Sequence, residues 1–326
     1  MVKRLTRIVA VLVVSACKAK APEAAPAVTA QYATTTPTAS SASQTAQALF
    51  DQGHFDDALA RLDASAGDAD SLALLGGIWA KKAEAAPLPT PPPPAPGAKR
   101  GAQAPGPEFK EEELTALAFF EKALAAQPGH VRASLGLAEL LAPHALRRHE
   151  LGQAAQRKKG ARTAPETPTG GPDFSAERVI QAYKAAVAGS PAAKEPPERL
   201  FAFAVRADLL ADAEWALDQL VQRDKENPEP LIRQGDFLAQ QKKDTRAAID
   251  RYREALIWRS DDEATLGKIA DIYIAEGIEA YNKNQYAVAQ ARLLEAQKFV
   301  RNPNSPQGLR IKDYLGKLGS IRQNPR

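Results

Sequence analysis

Five stretches of the chain repeat one arrangement of small, bulky and small residues. ALAFFEKALAAQP places Ala116, Phe120, Ala123 and Pro128 at spacings of four, three and five, and VIQAYKAAVAGSP repeats this with Val179, Tyr183, Ala186 and Pro191. ALDQLVQRDKENP supplies Ala216, Leu220 and Pro228, with Arg223 where the others carry a small residue. AIDRYREALIWRS gives Ala248, Tyr252 and Ala255, with Ser260 in the proline position. AQARLLEAQKFVR gives Ala289, Leu293 and Ala296, with Arg301 there and Pro303 two residues later. Steps of four and three return to the same face of a helix, so each stretch predicts one helix with a single apolar seam. Small residues let a neighbouring helix come close, the bulky one fills the groove between them, and proline stops the helix from continuing.

A second kind of segment precedes these. LALLGGIW sets Leu72, Leu75, Gly76 and Trp79 on a helix, while FDQGHFDDALARL places Gly53, Phe55, Ala58 and Leu62 across a turn between two helices. YNKNQYAVAQARL repeats that turn with Asn284, Tyr286 and Ala289. The paired pattern over residues 44 to 303 resembles the tetratricopeptide repeat, in which two antiparallel helices form a unit and units stack. The resemblance implies an all-α solenoid of about six units, with second helices near residues 60, 120, 183, 220, 252 and 293. A last apolar series, Leu309, Ile311, Leu315 and Leu318, predicts a capping helix within 304–326, because a terminal repeat otherwise exposes an apolar face.

Two insertions interrupt the register. Ala58, Ala116, Val179 and Ala216 lie 58, 63 and 37 residues apart, against about 34 for the repeat. The surplus falls at about 86–107, which is proline-rich, and at 143–173, which carries Arg147, Arg148, Arg157, Lys158, Lys159 and Arg162 against only Glu150, Glu166 and Asp173. Both are expected as loops between the two helices of one unit. PLPTPPPPAP reads as an extended spacer, with a ligand for an aromatic groove as its rival. The basic run reads as a solvated loop, with anionic lipid or an acidic partner as the alternative.

The N-terminus differs in kind. MVKRLTR is basic, Ile8 to Val14 is apolar, and Ser15 and Ala16 are small, the order of an export signal (residues 1–16). Val14-Ser15-Ala16-Cys17 resembles the bacterial lipobox, whose cysteine is acylated and becomes the new N-terminus; an ordinary export signal with an incidental cysteine is the rival reading. Cys17 is the chain's one cysteine, so no disulfide within the chain and no cysteine-based metal site is expected. Residues 17–43, rich in Ala, Pro, Thr and Ser, read as a disordered tether. The absence of aspartate after the cysteine (Lys18 stands there) implies the outer membrane, facing the periplasm, as the lipobox resemblance extends.

Composition narrows the chemistry. Removing Lys3, Arg4 and Arg7 with the signal takes the net charge from +4 to +1, which gives no case for nucleic acid. Four histidines, His54, His130, His144 and His149, offer no metal pair: the last two are five apart and face different sides of a helix, and solvated loop residues are the expectation. No nucleophile elbow, phosphate loop, zinc-protease or dinucleotide motif is present. No enzyme activity and no cofactor are therefore expected.

In tetratricopeptide arrays the first helices line a concave face where peptides bind. The resemblance makes Phe201, Arg233, Phe237, Gln240, Tyr281 and Asn282 candidates for contacting a protein or peptide ligand, since aromatic, amide and guanidinium groups suit such a surface. The expected function is a lipid-anchored interaction scaffold in the bacterial envelope, of the kind that assembles outer-membrane, pilus or secretion complexes. An envelope factor binding peptidoglycan enzymes and a catalyst with an unrecognised site are its rivals.

Overall fold

A computed structural model of the protein describes residues 41–62, 67–87, 109–157 and 173–323. The export signal, Cys17, residues 17–40 of the tether and the polyproline run after Pro87 lie outside the described residues, whereas residues 41–43, expected in the disordered tether, open α1, where buried Ser43 meets Ser71 at 2.5 Å. Among those described there are thirteen α-helices and no strand. They are α1 (Ser41–Asp51), α2 (Phe55–Arg61), α3 (Ala69–Ala85), α4 (Glu111–Ala126), α5 (Val131–Arg157), α6 (Ala176–Gly189) and α7 (Glu195–Arg206). There follow α8 (Leu210–Arg223), α9 (Pro228–Phe237), α10 (Thr245–Trp258), α11 (Glu263–Asn282), α12 (Tyr286–Gln297) and α13 (Pro306–Gln323).

The helices pack as consecutive pairs, α1 with α2 through α11 with α12, and α13 closes the series against α11 and α12. This is the all-α tetratricopeptide-type solenoid that the repeat implies, with its C-terminal cap. Each second helix holds its seam in the core: Phe120, Tyr183, Leu220, Tyr252 and Leu293 are all buried, as are the small residues on either side, Arg223 excepted. Ile311 and Leu318 bury the cap, whereas Leu309, expected on the same face, is 53% exposed. Its position two residues before Ile311 turns it to another side of the helix.

The seam works because the first helices carry notches. A Cβ on Gly76 of α3 would stand 2.7 Å from the Phe120 ring, and one on Gly136 of α5 would stand 2.5 Å from it. The phenyl ring, 1% exposed, thus fills a slot between the first helix of its own pair and that of the next. Gly235 against Tyr252 and Gly277 against Leu293 each provide one such notch, from the first helix of the same pair.

Successive first helices are also joined by polar rungs with a constant direction. An acid on one helix meets a donor near or on the next: Asp70 with His130 (3.0 Å), Glu139 with Arg199, Glu198 with Arg233 (3.7 Å), Asp236 with Lys268 (2.5 Å) and Asp271 with Gln307 (3.4 Å). Half-exposed pairs of this type contribute at most about 1 kcal/mol each, so they fix register more than they stabilise. His130 also accepts at Nδ1 from the Ala133 amide (3.2 Å) and so caps α5.

The second insertion departs from expectation. Residues 143–157 are not loop but the continuation of α5, with Pro143 inside the helix. Proline removes one backbone donor there, and buried Ala145 and Leu146 hold the extra turns against the core. His144 is consequently no solvated loop residue. Its side chain is 17% exposed, lies 4.8 Å from the Phe109 ring and 5.1 Å from the Phe174 ring, and meets Glu113 at 3.3 Å.

Phe109 and Phe174 stack at 3.8 Å between centroids, and each stands at the start of a described segment. Arg148 from the added turns lies 5.7 Å over Phe174. Lys110 donates to the carbonyls of Ala83 and Ala86 (2.5 and 2.6 Å), stitching α4 to the end of α3. The residues immediately before α4 and α6, Phe109 and Phe174, are therefore fastened to each other by one aromatic stack.

Two glycines of α5 separate packing from helix propensity. Alanine improves an exposed helix by about 1 kcal/mol over glycine, but a methyl forced into a filled slot costs about 1–3 kcal/mol. Gly152 has nothing within 4 Å of its would-be Cβ. Gly152→Ala should raise the urea midpoint followed by circular dichroism, and Gly136→Ala should lower it.

Candidate functional site

The first helices of the fourth and fifth pairs leave a groove between them. It has a volume of about 180 Å³ and is lined by Phe201, Val205, Arg233, Asp236, Phe237, Gln240 and Gln241. The local sequence explains why these side chains converge. Phe201 and Val205 are four apart on α7, and Arg233 and Phe237 are four apart on α9, so each pair shares a helix face. The α9 helix then widens into a π-turn, Leu238–Lys242, which ends at Lys243 in the left-handed region (φ 58°). That turn carries Gln240 and Gln241 and is tied to α8 by Lys242 donating to Glu214 at 2.8 Å. Such π-turns occur often at functional sites.

The floor is aromatic. Phe201 and Phe237 meet edge to face, with centroids 6.0 Å apart and planes at 73°. Phe237 is 4% exposed, so it supports the floor more than it offers a surface, while Phe201 is half-buried. The Arg233 guanidinium lies 5.3 Å over the Phe201 ring. Gln240 and Gln241 are exposed, and each amide offers both donors and an acceptor.

The two charges of the groove are held differently. Asp236 accepts from the Tyr252 hydroxyl at 2.7 Å and from Lys268 at 2.6 and 2.5 Å. Burial first, and then the Asp236 carboxylate it donates to, hold the Tyr252 phenol far above its ordinary range. Arg233, by contrast, has Glu198 at 3.7 Å, and the two side chains are 36% and 50% exposed. A second buried phenol lies two pairs earlier: burial, and then the Glu139 charge, push Tyr183 up to about 12. Burial also raises Glu139 against the pull of Arg199.

Four of the six sequence candidates, Phe201, Arg233, Phe237 and Gln240, therefore come together. Tyr281 and Asn282 do not line this groove. Tyr281 packs on Tyr314 of the cap (5.3 Å) and on Tyr286 (5.9 Å), and Asn282 is exposed at the end of α11. Val205, Asp236 and Gln241 were missed. Val205 was legible as the residue four after Phe201. Gln241 was not, because the π-turn that presents it carries no motif in the sequence.

Among the described residues, no three His, Cys, Asp or Glu side chains are grouped as metal ligands, and no helix is long and apolar enough to cross a membrane.

No family model matches the chain, and no curated protein matches it. Among solved structures it is similar to residues 41 to the end of MamA from Desulfovibrio magneticus RS-1, at 16% identity and a TM-score of 0.37, over 68% of this chain and 95% of that one. It is also similar to Pseudomonas aeruginosa pilF, at 13% identity and a TM-score of 0.39, over 85% of this chain and 96% of that one. A third similar structure is YrrB, described as a TPR protein with an unusual peptide-binding site, at 16% identity and a TM-score of 0.31, over 62% and 84% of the two chains. At these identities and TM-scores the likenesses carry no argument about function.

The buried phenols set an alkaline limit. Tyrosine ionises near 10 in an unfolded chain, and both folded values lie higher. The stability they confer is complete below pH 10 and is lost as pH rises through the folded values. In a spectrophotometric titration, part of the tyrosinate signal should appear only near pH 12 or on unfolding. The urea midpoint should fall from pH 10 upward, less steeply in Tyr252→Phe.

Proposed function

We propose that the protein is a non-catalytic scaffold that binds a segment of another protein in the groove between α7 and α9. The observation that carries this reading is the groove itself: an aromatic floor, a guanidinium held over it and two exposed amides, set between successive first helices of a helix-pair array. An edge-to-face aromatic pair supplies apolar contact area, and the amides can pair with the backbone of a passing chain. The site holds no nucleophile beside a base.

The place of action follows from the sequence beyond the described residues. With Cys17 acylated, the array hangs from the membrane by a tether that ends before α1, residues 17–40, in the bacterial envelope and facing the periplasm from the outer membrane. Each buried acyl methylene contributes about 0.8 kcal/mol, so a multiply acylated cysteine is a firm anchor. A leashed scaffold of this kind suits the assembly of outer-membrane, pilus or secretion complexes.

Two measurements test the two halves of this reading. A photo-crosslinking residue at Gln240 in the full chain, in its own type of host, should give an adduct with another polypeptide; the same residue at exposed Leu309 should not. Adducts at neither or at both positions remove the groove from consideration. Separately, the wild-type chain should begin at Cys17 with added acyl mass and fractionate with membranes, and Cys17→Ala should lose both properties. An unacylated, unprocessed wild-type chain defeats the anchor and leaves the groove untouched.

A further inference from the structure

The groove's charges point to one class of occupant. We infer that the bound segment is acidic: an internal stretch of a partner protein that seats an aliphatic or aromatic side chain on Phe201 and places a neighbouring Asp or Glu carboxylate on Arg233. This rests on the proposal that the groove is a peptide site.

The argument is one of which hydrogen-bonding capacity remains unused. Asp236, the acid of the groove, already accepts from Tyr252 and, on both oxygens, from Lys268, at 2.5–2.7 Å. A cationic ligand would have to share a carboxylate whose charge a lysine already offsets. Arg233 is the reverse case. Its rung to Glu198, at 3.7 Å, is the longest ion pair of the ladder and lies beyond hydrogen-bond distance. The guanidinium fork is nevertheless held in place over the Phe201 ring. A ligand carboxylate arriving in the fork's plane can make two parallel charge-assisted bonds, at the expense of one loose contact with a side chain that is itself half exposed.

The amides favour an internal segment over a chain terminus. Gln240 and Gln241 each present donors and an acceptor, which matches a backbone that continues past the site with both N–H and C=O groups to satisfy. A terminal carboxylate would call for donors alone.

The test uses the full chain and capped nonapeptides. A positional-scanning library, acetylated and amidated, is read by retention on the immobilised protein, and selected peptides are remade in three forms, with Asp/Glu, with Asn/Gln and with Lys at the charged position. The acidic form should bind roughly tenfold more tightly than the amide form, and the advantage should shrink as salt rises. Arg233→Gln should erase the advantage while leaving the circular-dichroism melt in place, and Arg233→Glu should transfer preference to the lysine form. Equal or better binding of the amide or lysine forms to the wild type overturns the acidic assignment and leaves the groove as a peptide site. Acidic binding that survives Arg233→Gln also overturns it, since the carboxylate then sits elsewhere. A library that yields no peptide displaced by substitutions at Phe201 or Gln240 defeats the groove reading itself.

Discussion

The Phe120 ring between Gly76 and Gly136 shows the constraint on which the array depends. Here one bulky side chain on a second helix is shared by two first helices, both of which lack a Cβ at the point of contact. Where that condition holds, one residue joins a pair internally and also joins it to the next pair. The array then propagates through nearest-neighbour packing, each pair covering the apolar face of the one before. The proline or serine after each seam and the residue that caps the next first helix end one helix and start another, but they do not bring helices together. Packing does that, and the cost of a filled notch exceeds the gain from helix propensity at the same position.

The polar rungs are subordinate to this packing and add information it lacks. A row of notches and knobs alone leaves the axial placement of one pair on the next loosely set. Acids that consistently precede their donors along the chain, from Asp70 and His130 to Asp271 and Gln307, favour one placement. Partly solvated pairs of this kind supply little net energy. Their effect is on which arrangement forms, and a rung that is long leaves its cation open to other partners.

The sequence made five seams legible because each bulky residue is flanked by small ones at fixed steps, Arg223 apart, and the second helices lie where those steps, and the turn before Phe55, place them. Arg223 was legible as an exception, but not its use: it reaches from the end of α8 to the Val187 carbonyl of α6 at 2.9 Å. The continuation of α5 through Pro143 was not legible, since proline reads locally as a stop. What overrides it is tertiary: Ala145 and Leu146 in the core and His144 against Phe109 and Phe174, partners 35 residues before and 30 after. The groove was half legible. Its aromatic and basic residues follow helical spacing, whereas the pairing of Asp236 depends on Lys268, 32 residues away.

Several departures from the repeat meet at the joint between the fourth and fifth pairs. The α7 helix has no glycine, so Leu220 has no notch of the kind that receives Phe120. The second helix of that pair carries Arg223 in a small-residue position, the rung across the joint is the 3.7 Å one, and the following first helix ends in a π-turn. Together they flank the groove between Phe201 and Gln241. Regular packing builds the array, and at this joint apolar surface and a guanidinium loosely paired with Glu198 face the groove together.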